Sequence, residues 1–388
     1  MFRKIQTCLT QDFGKKIQLL SGPRQVGKTT LSQQLAADYQ YLNYDRAEHR
    51  QIMMEAAWDR KQKLVIFDEL HKMPQWKQWL KGIYDTEKHG PSLLVTGSAR
   101  LDTYRKVGDS LAGRYFQYRL NPLTLNELKT VEEGFQAQQS FHRLMNCSGF
   151  PEPYLEGSST FYLRWRATHL DIILRQDLVD LETVSSIQGI EQLIYLLTQQ
   201  VGSTVSYTSL ARTLQVSDKT IKRWLGILES LFVVFRVTPY AHKQSQVISK
   251  APKFYFYDIA RVDGVQGARF ENLVALALQS ELDFMKDTLG KDLSLHFLRK
   301  KDGREIDFVI AERFKIRALI ECKWSDSARS PNFALAQELA PKSVALIQLV
   351  ADLDQDRTFA DGCEVRSAPE WLSQMDGAAT FLNSSSPS

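Results

Sequence analysis

The first third of the chain alternates short apolar runs with stretches of helical spacing. Ile17–Ser21 is an apolar run of strand length, and after a glycine-containing turn a helical pattern continues through Thr30–Ala37. Tyr41–Asp45, Leu64–Phe67, Leu93–Thr96 and Tyr115–Leu120 predict four more strands. Trp76, Trp79 and Tyr84 repeat with a helix period and are expected in a core. Apolar strands separated by helices predict a parallel sheet covered on both faces. The pattern then changes. Leu125 to about Gln200 is mainly helical, with Gly149–Pro153 as its clearest break, and Lys253 to Met375 returns to mixed α/β patterning. The ending LNSSSPS is Ser-rich and is expected to lack structure. These changes predict an α/β domain over 1–130, a helical linker or lid over 131–204, a winged helix-turn-helix over 205–245, a second α/β domain over 246–375 and a disordered tail over 376–388.

Composition alters this picture little. A chain of 388 residues is long for one domain, so two or three are expected. Hydrophobic residues at 43% and charged residues at 24% are ordinary for a globular protein. The net charge of 49 − 45 = +4 permits a nucleic-acid partner without requiring one. Cys8, Cys147, Cys322 and Cys363 lie far apart, which argues against a zinc finger or a disulfide framework and for the reducing cytoplasm. No stretch reaches the ~20 apolar residues of a membrane helix, so no membrane partner is expected.

The strongest chemical signal is GPRQVGKTT, Gly22 to Thr30, which fits G-x-x-x-x-G-K-[ST] between a predicted strand and a predicted helix. Gly22 and Gly27 let backbone amides turn inward around phosphates, Lys28 reaches the β- and γ-phosphates, and the Thr29 hydroxyl ligates Mg²⁺, with Thr30 following in the helix. A second strand ends in two carboxylates, Asp68 and Glu69. Asp68 is expected to hold the Mg²⁺ through water, and Glu69 to orient or deprotonate the attacking water. Thr96 and Ser98, at the end of the next strand, are candidates to sense the γ-phosphate or the lytic water. Arg114 reads either as an arginine finger or as a surface salt bridge, with Arg100 the weaker alternative.

In this order the segments GPRQVGKTT, LVIFDELHKMPQW, LLVTGSAR, LAGR and YRLNPLTLNEL resemble the AAA+-like P-loop ATPases of bacteria and archaea that carry a C-terminal domain of unknown function. The resemblance covers most of the chain. It implies an α/β P-loop NTPase sheet of order 5-1-4-3-2, with ATP and Mg²⁺ as ligands and sites often completed between subunits of a homo-oligomer. It implies no particular biological process.

Between Ser206 and Leu228 lie two short helical patterns joined at Val216. Leu210, Ala211 and Leu214 make the apolar side of the first; Ile221, Trp224, Leu225 and Leu228 that of the second, which Ser217 or Asp218 can cap. Lys219, Thr220, Lys222 and Arg223 are left facing out, and Leu231–Val237 reads as a strand. This pattern predicts a winged helix, either presenting those four residues to DNA or packing with a merely solvated basic face.

Farther on, Asp307 lies in a turn-to-strand stretch and Glu321-Cys-Lys323 in the neighbouring strand, where alternation puts Glu321 and Lys323 on one face and Cys322 on the other. Glu271, on an amphipathic helix upstream, can add a third carboxylate. Carboxylates beside a lysine suit metal-dependent phosphodiester cleavage, with Asp307 and Glu321 as metal ligands and Lys323 activating water. The pattern resembles the PD-(D/E)xK restriction-endonuclease-like fold, which also occurs without cleavage activity. Three functions are therefore open: an ATP-hydrolysing switch or motor on DNA, a nucleotide-dependent module that binds a protein partner and cuts nothing, and a nuclease gated by ATP.

Overall fold

The computed structural model describes residues 2–87, 90–97, 111–177, 187–241, 251–300, 302–335 and 344–382, so Ser98 and Arg100 lie outside the described residues. The chain divides into two compact units, Met1–Pro122 with Ser230–Phe232, and Leu123–Glu229 with Val233–Ser388.

In the first unit, helix α1 (Gln6–Gln11) precedes strand β1 (Ile17–Ser21), followed by α2 (Lys28–Gln33), β2 (Tyr39–Asn43), α3 (Ala47–Met54), β3 (Leu64–Asp68), α4 (Trp76–Thr86), β4 (Ser92–Thr96) and β5 (Tyr115–Arg119). The five strands pair in parallel in the order β2-β3-β4-β1-β5, the order 5-1-4-3-2 that the resemblance implied. Every residue of β1 and β3 is buried, as expected of central strands covered on both faces. Trp58, Phe67 and Trp79 meet edge to face beneath the sheet, with ring centroids 5.3–6.0 Å apart. Trp76 is buried in the same cluster and Tyr84 packs against it. The register aligns the strand ends: Leu20 lies opposite Thr96, and Thr96 opposite Asp68. The turn after β1 therefore opens beside the two polar strand ends.

The second unit begins with helices α5 (Leu125–Val131), α6 (Ala137–Cys147), α7 (Pro151–Glu156), α8 (Ser159–Ile172) and α9 (Ile187–Thr198), then the pair α10 (Tyr207–Leu214) and α11 (Asp218–Ser230). Strands β6 (Val234–Pro239) and β7 (Lys253–Phe256) follow, then the long helix α12 (Gln266–Leu289) and strands β8 (Leu293–Arg299), β9 (Glu305–Glu312), β10 (Lys315–Lys323), β11 (Ala345–Val350), β12 (Arg357–Thr358) and β13 (Cys363–Ser367). Two short helices, α13 (Ala368–Gln374) and α14 (Gly377–Leu382), close the described chain. Among the described residues one sheet runs β12-β13-β11-β10-β9-β8-β6-β7.

Two expectations change here. The strand expected as a wing is shared: Val234–Val237 pairs with β7, while Thr238 and Pro239 pair with β8. The wing strand and the last α/β segment thus share one sheet, and the helix pair up to Glu229 lies in the same unit. The expected tail also starts too early. Gly377–Leu382 is a helix, because Phe381 is buried and the Gly377 amide donates to Glu281 Oε1 at 3.0 Å.

Candidate functional site

The turn after β1 is shaped by glycine. A Cβ on Gly22 would stand 2.3 Å from the Leu120 carbonyl oxygen, so only glycine lets the loop pass β5 that closely. Gly27 takes φ 94° just before α2. Lys28 Nζ donates to the carbonyls of Gly22 at 2.9 Å and Pro23 at 2.6 Å, which tightens the loop on itself. The buried Arg3 ties the same loop to the end of β5, donating to the Val26 carbonyl at 3.3 Å and the Asn121 carbonyl at 2.6 Å. Thr30 is exposed in the first turn of α2.

Asp68 is the hub. Its Oδ2 accepts from Thr29 Oγ1 at 3.2 Å and from Tyr41 Oη at 2.5 Å; its Oδ1 accepts from Thr96 Oγ1 at 2.6 Å and the Glu69 amide at 3.1 Å. The expected metal-ligand pair, Thr29 and Asp68, is brought together, and an oxygen pair of this kind suits Mg²⁺ held partly through water. Thr96, a candidate sensor of phosphate, is instead spent on Asp68. Burial and the bond to Asp68 push the Tyr41 hydroxyl up to about 12, so it stays a donor.

Glu69 follows at φ 56°, a left-handed backbone that ends the strand. Burial pushes its carboxyl above the usual range, the Lys72 ammonium at 3.4 Å opposes this, and the neighbouring Asp68 adds to it. His71 stands 3.7 Å from the same oxygen. Arg114 is elsewhere. It forms a two-pronged pair with Asp85, at 2.8 and 3.1 Å, and its carbonyl bonds the amide of Ile17 at the start of β1, the end opposite the loop. It is not part of its own chain's phosphate site.

In the second unit the apolar positions of the helix pair are buried as expected: Leu210, Ala211, Ile221, Trp224, Leu225 and Leu228. Lys219, Lys222 and Arg223 are exposed, whereas Thr220 is half-buried and serves the helix start. Its amide donates to Ser217 Oγ at 3.1 Å, which makes Ser217 the cap.

The four nuclease-type residues occupy adjoining elements of this unit but sort into three bonded groups. Ile306 and Val309, three apart, pack in one cluster with Leu319 and Phe333, because the β8–β9 register slips between His296–Val309 and Leu298–Ile306. The slip takes Asp307 out of plain alternation. Its Oδ2 accepts from the Cys322 amide at 2.8 Å. Burial, then Glu271 and Glu321, push its carboxyl well above the usual range. Glu321 is buried, with Lys323 Nζ at 3.4 Å and Asn332 Nδ2 at 3.4 Å. Glu271 belongs to Tyr255, which donates to it at 2.7 Å, and to Lys253 at 3.3 Å. Among the described residues no group of three or more His, Cys, Asp or Glu side chains is placed to hold a metal ion. Asp258 is structural, buried between Tyr162 and Arg261 at 3.1 Å from each.

Sequence reading missed Tyr41, Arg3, Lys72 and Lys253. Of these, Lys253 carried a signal: with Tyr255 and Tyr257 it forms one face of an otherwise apolar strand, and a lysine there needs anions.

Comparison with known proteins agrees with the first unit. Residues 14–129 match the family described as AAA domain. Residues 138–268 and 266–369 match two domains of unknown function, DUF8612 and DUF4143. An uncharacterized protein of Mycobacterium tuberculosis is 25% identical over 304 residues, covering 75% of this chain and 67% of the relative. One of Haemophilus influenzae is 22% identical over 399 residues, covering 92% and 94%. Among solved structures, a single-residue variant of Thermotoga maritima RuvB aligns at TM-score 0.32 and 15% identity over 60% of this chain and 87% of that one. The Aeropyrum pernix Orc1 protein in complex with DNA aligns at 0.35 and 10% over 71% and 93%. The match over residues 14–129 and the sheet order support an AAA-like domain with an α/β P-loop fold in the first unit.

Proposed function

We propose that the protein binds ATP with Mg²⁺ at the Gly22–Thr30 loop and hydrolyses it. The observation that carries this reading is the 3.2 Å bond between Thr29 and Asp68 at the mouth of the loop, with Glu69 next in the chain. Lys28 exchanges its loop carbonyls for phosphate oxygens, and the inward-turned amides cradle the chain of phosphates. Mg²⁺, when bound, neutralises charge on the β- and γ-oxygens. Thr29, and Asp68 through water, would hold that cation. Glu69 accepts the proton of the attacking water, a role for which its raised pKa suits it. The test is phosphate release by the full chain: Glu69→Gln retains nucleotide binding and loses turnover. Unchanged turnover moves the base elsewhere.

The second unit supports association with DNA. Helices α10 and α11, the β6–β7 hairpin and the Thr204–Lys253 bridge have the make-up of a winged helix, with Lys219, Lys222 and Arg223 exposed on α11. The reading is a DNA-associated, ATP-driven switch or motor in which the strands from β8 onward are a nuclease-like fold. A partner protein in place of DNA is the alternative, and DNA stimulation of ATP hydrolysis separates the two. A homo-oligomer is the expected assembly. No helix among the described residues is long and apolar enough to cross a membrane.

A further inference from the structure

The nuclease-like sheet contains a cation of its own. Lys253, on β7, is 1% exposed. Its ammonium lies 3.3 Å from Glu271 Oε1 and 2.5 Å from Glu305 Oε1, and 5.3 Å above the Phe297 ring. Glu271 also accepts from Tyr255 Oη on the same oxygen, at 2.7 Å. Gly202, in the chain between α9 and α10, lies against the other oxygen: a Cβ on it would sit 2.7 Å from Glu271 Oε2. The third acid of the group, Asp307, holds the Cys322 amide. A divalent ion needs carboxylate oxygens that converge on open space and keep room for water. Here the Glu271 and Glu305 oxygens converge on an ammonium and the Asp307 oxygen is taken by a backbone amide, so the donor set does not fit a metal.

We propose that Lys253 is the built-in counter-ion of this carboxylate group, and that the nuclease-like sheet of this protein binds no divalent cation and cuts no phosphodiester bond. The carboxylates serve instead to lock strand β7, and with it the helix pair, onto the sheet. This makes the second unit a binding module. The inference rests on the nuclease-like reading of the sheet and is independent of ATP hydrolysis.

The test uses the full chain without nucleotide. Mn²⁺ binding is followed by electron paramagnetic resonance in the unsubstituted protein and in Glu271→Gln, Asp307→Asn and Glu321→Gln. All four are expected to behave alike, and supercoiled DNA with Mn²⁺ is expected to stay intact. Lys253→Met leaves Glu271 and Glu305 facing each other, so its thermal midpoint falls by about 5–15 °C. Adding Glu271→Gln to Lys253→Met is expected to restore part of that fall. Mn²⁺ uptake lost in Glu271→Gln, Asp307→Asn or Glu321→Gln overturns the proposal. So does nicking lost in Lys323→Ala, or a Lys253→Met midpoint equal to that of the unsubstituted chain.

Discussion

Asp68–Glu69 at the end of β3 and Glu321-Cys-Lys323 at the end of β10 are both acidic strand ends, and the two sites differ in where their partners come from. Asp68 finds Thr29 and Thr96 because the order of a parallel sheet brings three strand ends into line, and backbone register enforces that line. The loop that would hold phosphates is one continuous segment whose chemistry is mostly backbone. The second site depends on side chains from four elements: Glu271 on α12, Asp307 on β9, Glu321 on β10 and Lys253 on β7. A single added lysine changes what those carboxylates can bind. A motif written in backbone geometry thus constrains function more tightly than one written in side chains.

The comparison breaks most visibly at Lys28. Lys28→Ala removes the mobile charge from the cradle and is expected to lower ATP hydrolysis by roughly 100-fold or more, with weakened binding. Glu69→Gln keeps nucleotide affinity and slows turnover by about 10²–10⁴-fold, since the amide accepts no proton. Phosphate release and fluorescent-nucleotide titration measure the two. Neither substitution is expected to alter DNA binding in the second unit. A loss there would mean that the two sites are not chemically separate.

A smaller effect is expected from the helix pair. Replacing Lys219, Lys222 and Arg223 together with Ala removes up to three phosphate contacts. The slope of log affinity against log salt then becomes shallower by up to ~2.7, with affinity falling at low salt. Fluorescence anisotropy at several salt concentrations reads this directly. An unchanged slope leaves α10 and α11 as packing elements and favours a protein partner.

Much of this was legible in the sequence for a physical reason. The β1 and β3 runs are mostly apolar because both faces are covered, and Leu210 to Leu228 keeps a helix period because one side packs. Long-range pairing was not legible. Nothing local to Val234–Pro239 says that its second half leaves the hairpin to join β8, and nothing near Asp307 announces the register slip in β9. Tyr41 reads as an ordinary strand aromatic. Only the parallel pairing of Asn43 with Asp68 brings its hydroxyl to the carboxylate.

Acidity sharpens the reading of the first site. Glu69 must be ionised to accept a proton, and its carboxyl titrates above the usual range, so the acid limb of hydrolysis lies above that of an ordinary glutamate. Lys72→Met removes the ammonium that pulls this carboxyl down, and the limb is expected to move to higher pH while the plateau rate holds. The same proton acts on stability in the opposite sense. A carboxyl whose folded pKa is raised stabilises the fold below its unfolded pKa, and that contribution is lost as pH rises through the folded value. A pH–rate profile in which Lys72→Met shifts the limb downward, or leaves it in place, removes Glu69 as the titrating base.

The smallest expected effect is at Arg114. Its guanidinium holds both oxygens of Asp85 at an exposed position, and exposed pairs of this kind contribute little to stability. Arg114→Ala should therefore leave the thermal midpoint nearly unchanged. Its place in the sheet decides the rest. The Arg114 carbonyl pairs at the first residue of β1, whereas the phosphate loop begins beyond the last, so a strand of five residues, roughly 13 Å long, separates the two ends. The guanidinium has no path to its own loop. Acting as an arginine finger, it would have to serve a neighbouring copy and release Asp85 to do so. If it does, Arg114→Ala lowers turnover by about 10³-fold or more, hydrolysis rises more than linearly with protein concentration, and Asp85→Ala leaves activity intact. If the pair is only a surface contact, Arg114→Ala and Asp85→Ala match the parent in turnover at every concentration. That is the outcome the two-pronged geometry favours.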